Sequence, residues 1–75
     1  MMVIANSREQ AQTLRNAVMN EFAVLRPTVW VYDHGNKFPI DVGDSWGAAL
    51  PKAEAERVQT FLMQKVAELV PAKGN

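Results

Sequence analysis

The string Gly43-Asp44-Ser45-Trp46-Gly47 matches G-x-S-x-G, the pattern that sets a nucleophilic serine on a sharp turn between a strand and a helix. That chemistry needs the central strand of a large sheet, with an acid and a histidine following the serine along the chain. Here the single histidine, His34, precedes Ser45, and the chain is too short for such a sheet. Turn chemistry accounts for the same residues: glycine supplies unusual backbone angles, and Asp44 or Ser45 bonds to nearby backbone groups. His34 with Asp33, Asp41 and Asp44 could be drawn as a hard-metal site or an acid/base pair, but turn histidines and strand-end carboxylates are ordinarily solvated. Neither zinc-ligand spacing nor a phosphate-cradling glycine loop occurs. The expectation is a non-enzymatic protein with no catalytic, cofactor-binding or metal-binding residue.

A second set of residues suits recognition rather than reaction. Trp30, Tyr32 and Trp46, with Arg26 close by in sequence, are the residue types that dominate binding hot spots, because they bury large area at small entropic cost. They are the candidate partner-binding residues. Trp30 and Tyr32 are open to three readings: core, dimer interface or target contact. Stacking of single-stranded nucleic acid also uses exposed aromatics, but it needs a basic groove that a neutral chain lacks.

The elements that must carry these residues are legible from periodicity. Ser7 followed by Gln10 fits a capping box, and Ala11, Leu14, Val18, Phe22 and Leu25 recur at three- and four-residue steps. This predicts a helix over 6–26, widened by Met19 and Ala23 and ended by Pro27, which disfavours helical geometry at Arg26. Its polar face includes Arg8, Gln12, Arg15, Asn16 and Asn20. Residues 28–33 and 37–42 alternate as two strands of a hairpin. An even loop, either Gly35-Asn36 or 34–37, puts Val29, Val31, Phe38, Ile40 and Val42 on one core face. It leaves Thr28, Trp30, Tyr32, Pro39 and Asp41 on the other. Pro39 cannot donate a ladder bond, which places the second strand on an edge or turns its nitrogen away from a partner. Pro51 opens a second helix over 51–70 with the stripe Ala55, Val58, Leu62, Val66 and Leu69, broadened by Phe61 and Val70. Residues 71–75 read as a tail. The apolar lead 1–5 reads as a terminus, although Val3 and Ile4 could lie against a core or add to a sheet edge.

The expected architecture is therefore a single α+β domain, α-β-β-α, with a two-stranded antiparallel hairpin between two helices. At 75 residues it is below the size at which one core readily stabilises a fold, and the absence of cysteine removes disulfides and most zinc sites as supports. Oligomerisation is the remaining common remedy, so a homodimer is expected. Eight basic and eight acidic residues cancel without forming runs, which argues against a nucleic-acid footprint, a polybasic membrane contact and an acidic nucleic-acid mimic. No signal peptide or membrane span is evident, and a cytoplasmic location is the default.

In size, neutrality and helix-hairpin-helix layout, carried by VWVYDHGNKFPIDVGDSWGAALP over 29–51 and the helices beside it, the chain resembles small bacteriophage accessory proteins that disable host factors. It is similar in outline to the phage anti-activator of quorum sensing and, more loosely, to anti-CRISPR proteins. The resemblance implies a dimeric inhibitor, acting in the bacterial host cell, whose partner is a host protein such as a LuxR-type transcription regulator. An alternative drawn from the residues is a small DNA-associated transcription regulator whose Arg8 and Arg15 meet phosphate, with binding that weakens steeply in salt.

Overall fold

The structure, a computed structural model, describes residues 2–69, so the expected tail over 71–75 and Val70 lie outside the described residues. The chain runs β1 (Met2–Ala5), α1 (Arg8–Glu21), a 3-10 turn (Ala23–Leu25), β2 (Thr28–Val31), β3 (Phe38–Gly43) and α2 (Lys52–Leu69). The fold is α+β, with two helices and a three-stranded antiparallel sheet in the order β1-β3-β2. This corrects the two-stranded hairpin expected from the sequence: the apolar lead is a strand, and the topology is β-α-β-β-α.

The hairpin has the register that the even loop predicts. Val29 pairs with Val42, Trp30 with Asp41 and Val31 with Ile40, and His34 and Lys37 close a two-residue turn over Gly35-Asn36. Gly35 has φ 71° at the first turn position, the feature that marks a II′ turn and matches the twist of the flanking strands. The strands differ from the expected limits by one or two residues, running 28–31 and 38–43.

Pro39 does not put β3 on an edge. The strand is central, pairing Val3 with Ile40 and Ala5 with Phe38 on one side and β2 on the other. The Pro39 carbonyl accepts from the Tyr32 amide at 2.9 Å, so the Pro39 backbone faces β2, one residue beyond the end of that strand. The ladder to β1 uses Phe38 and Ile40 and loses nothing. On the same side, the Val42 amide donates to the Asp41 carboxylate at 2.9 Å.

Both helices cover one face of the sheet. Ala11, Leu14 and Val18 of α1, Val58 and Leu62 of α2, and Val3, Ala5, Phe38, Ile40 and Val42 of the sheet form the buried core with Phe22. Val29 is half-buried, and Val31, at the sheet edge, is exposed. Phe22 meets Phe61 edge-on at 5.4 Å, a favoured aromatic geometry that ties the end of α1 to α2.

The first helix is shorter than the stripe suggested. Ser7 caps it, its hydroxyl accepting from the Gln10 amide at 3.0 Å, and the Gln10 side chain accepts from the Asn6 amide at 2.8 Å. The helix ends at Glu21, and a 3-10 turn carries Leu25 inward while Ala23 and Val24 point to solvent. Met19 and Ala23, expected to widen the apolar stripe, are exposed, because α1 buries only the narrow line facing the sheet. In α2, Val58 and Leu62 are buried and Ala55, Phe61 and Val66 half-buried, while Leu69 is exposed. Pro51 precedes the helix, its carbonyl accepting from the Ala55 amide at 2.8 Å.

Candidate functional site

The loop after β3 folds back on the sheet and is fixed by one side chain. A carboxylate oxygen of Asp44 accepts from the amides of Trp46 at 2.8 Å and Ala48 at 2.9 Å. The Asp44 backbone accepts from Gly47 at 3.0 Å and donates to the Ala48 carbonyl at 2.8 Å. The Thr28 hydroxyl donates to the Asp44 carbonyl at 2.7 Å, joining the loop to the start of β2. Gly47 supplies the left-handed φ of 83° that the turn needs. The G-x-S-x-G string is thus a turn built around Asp44.

This turn holds Trp46 out into solvent with 92% of its surface exposed. Trp30 has the opposite fate. Its ring lies against Gly43 and Gly47, where any added Cβ would meet it at 2.9 Å and 3.6 Å, so the returning loop covers it. The loop thus partly covers Trp30 and leaves Trp46 in solvent. Trp30 lines a cleft of about 220 Å³ with Asp41, Gly43, Gly47, Leu50 and Ala55. That is smaller than the 300–1,000 Å³ typical of small-molecule sites.

Tyr32 shares the face of the sheet away from the helices with Trp30, Pro39 and Asp41; it is 40% exposed, whereas Pro39 is buried and Trp30 and Asp41 are half-buried. It lies toward the hairpin turn, four residues and about 13 Å along β2 from Thr28, where the Trp46 loop is anchored. Arg26 precedes β2 and so leaves the sheet at the Trp46 end. Its backbone is left-handed, with φ 49° and ψ 56°, and its amide closes the 3-10 turn on Ala23. The structure thus brings Arg26 and Trp46 to one end of the sheet, with Tyr32 farther along the face away from the helices and Trp30 beneath the loop.

Val24, not singled out by the sequence, is 96% exposed at the same end as Arg26. The signal was present in the periodicity, since 22 and 25 continue the inward stripe and 24 falls off it.

Three of the other cations have ion-pair or ring partners among the described residues. Arg8 pairs with Asp33 at 2.8 Å and lies over the Phe38 ring, Arg57 lies over Phe22, and Lys65 lies over Phe61 and pairs with Glu68. Arg26 makes no ion pair or ring contact with the described residues. The carboxylates around His34 are dispersed: Asp33 holds Arg8, Asp41 holds the Val42 amide and Asp44 holds its loop. Ser45 and His34 sit beyond opposite ends of the hairpin, roughly 20 Å apart along the strands. Among the described residues no three His, Asp or Glu side chains gather as metal ligands, and no helix is long and apolar enough to cross a membrane.

No protein-family model, curated protein or solved structure matches the chain.

Proposed function

We propose that this protein is a non-enzymatic protein-binding inhibitor that acts as a homodimer and engages its target through Trp46. The observation that carries the reading is a tryptophan almost wholly exposed in a loop whose backbone is already fixed by Asp44. An exposed indole has no intramolecular use, and a loop held in its binding shape has little conformational freedom to lose on association. Arg26, unpaired among the described residues, and Tyr32 supply the polar and aromatic contacts that accompany such anchors in hot spots. From the resemblance to phage accessory proteins in size, neutral charge and the 29–51 segment, we take the target to be a bacterial host protein, with a LuxR-type regulator as the first to examine.

The test pairs affinity purification of the tagged protein from bacterial extract with the Trp46→Ala variant. Loss of a specific co-purifying protein, at unchanged circular dichroism and melting temperature, is the expected result. Capture undiminished by Trp46→Ala removes Trp46 from the interface and withdraws the reading.

A further inference from the structure

The edge of β1 that no described strand pairs with has a polarity that Pro39 fixes. Because the Pro39 backbone faces β2, the residues opposite β1 that bond across the ladder are Phe38 and Ile40, whose partners are Ala5 and Val3. Ile4, opposite Pro39, must then direct its N–H and C=O away from the sheet. Natural edge strands are usually blunted by charge, proline or a bulge, and Met2–Ala5 has none of these. Just past it, the Asn6 amide is closed off by the Gln10 side chain, so the open backbone is centred on Ile4.

An apolar groove of about 320 Å³ runs along this edge, lined by Val3 and Ile4 of β1 and by Gln59, Met63 and Val66 of α2. Ile4 is 50% and Met63 58% exposed. Among the described residues no charged side chain lines the groove.

We propose that a second copy of this chain occupies this edge, with the two β1 strands pairing antiparallel across a twofold axis at Ile4 to join two three-stranded sheets into one of six. The proposal rests on the homodimer reading above and names its seam. An antiparallel pair centred on one residue is self-complementary: Ile4 of each copy donates to and accepts from Ile4 of the other. The same axis lays the two α2 helices side by side on one face, where Met63 fills the groove of the second copy, a use suited to a flexible, polarisable side chain.

The available area agrees with a dimer at the weak end. A contact running the whole length of α2, about 27 Å at 18 residues, and as deep as the shortest molecular extent, 18 Å, would cover about 490 Å² per copy, an upper limit for this side. At that limit two copies bury about 1,000 Å², the lower bound for a specific interface. The association should therefore depend visibly on concentration.

Sedimentation equilibrium of the purified full chain from about 1 μM to about 1 mM tests this. The expected result is a monomer–dimer equilibrium whose dissociation constant rises at least about tenfold in Met63→Glu and in Ile4→Pro. Ile4→Pro removes the outward donor while sparing the Val3 and Ala5 ladder, and Met63→Glu changes an exposed side chain, so circular dichroism should be unchanged in at least one of them. A monomer throughout overturns the dimer and its seam together. A dimer that persists in both variants overturns the seam alone. Trp46→Ala should leave the equilibrium unmoved, and a shift comparable to that of Met63→Glu would place the interface at the Trp46 loop and overturn the seam, so failure of target binding and failure of the seam are read separately.

Discussion

Gly43→Ala should be the most damaging of the glycine substitutions, although Gly43 has ordinary strand geometry. A Cβ at 43 would sit 2.6 Å from the Ala48 carbonyl oxygen and 2.9 Å from two carbons of the Trp30 ring. The carbonyl cannot swing aside freely, because it already accepts from the Asp44 amide at 2.8 Å. Either the loop lifts from the sheet or Trp30 leaves its seat. Overpacking of this kind costs about 1–3 kcal/mol, and a lost hydrogen bond adds about 1 kcal/mol. The reduced freedom of the unfolded chain offsets about 0.4–1 kcal/mol, since alanine adopts strand angles without strain. The net expectation is about 1–3.6 kcal/mol, a large part of the roughly 4–11 kcal/mol available to a domain of this size. Gly35→Ala provides the contrast: its Cβ would meet nothing within 4 Å, and its penalty is the left-handed φ alone, about 1–2 kcal/mol. Urea unfolding followed by circular dichroism, at equal protein concentration, measures both. If Gly43→Ala unfolds within about 0.5 kcal/mol of the parent, or proves milder than Gly35→Ala, the packing of the loop on Trp30 is wrong.

Leu62→Ala empties a fully buried position where α2 meets the sheet and α1. It should cost about 2–5 kcal/mol by urea titration, and a loss under about 1 kcal/mol would deny Leu62 its place in the core. Ser7→Ala removes the hydroxyl that accepts from the Gln10 amide, with an expected loss of about 1 kcal/mol in melting experiments. An unchanged melting temperature would mean that solvent satisfies that amide equally well.

What the sequence discloses and what it hides divide along the range of the interactions. The inward stripe Ala11, Leu14 and Val18 and the pairing of Val29 with Val42 follow from spacing within a few residues, so periodicity and loop parity reach them. The strand at Met2–Ala5 does not: it is a short apolar run without alternation, and its partner lies more than thirty residues away. Pro39 misdirected the sheet order for a related reason. A proline removes one donor on one side of a strand, and which side is decided by a neighbour that local pattern does not reveal. At the candidate site, the types of residue were visible but their exposure was not. Trp30 and Trp46 look equivalent as letters, and only the return of the loop makes one a support and the other a projection.

The two joins of β3 also differ in chain entropy. The β2–β3 hairpin closes across Gly35-Asn36, whereas pairing Ala5 with Phe38 closes 32 intervening residues, α1 among them. By the logarithmic dependence on loop length the longer closure costs about 2.5 kcal/mol more, and it is repaid only when α1 seats on the sheet. The hairpin should therefore assemble first and β1 complete the sheet last. In the folded protein the sequence reverses: β1 is the first element to open, and exchange of the Val3 and Ala5 amides should outrun that of Trp30 and Tyr32. A second chain pairing at Ile4 would latch the strand whose attachment is entropically most expensive.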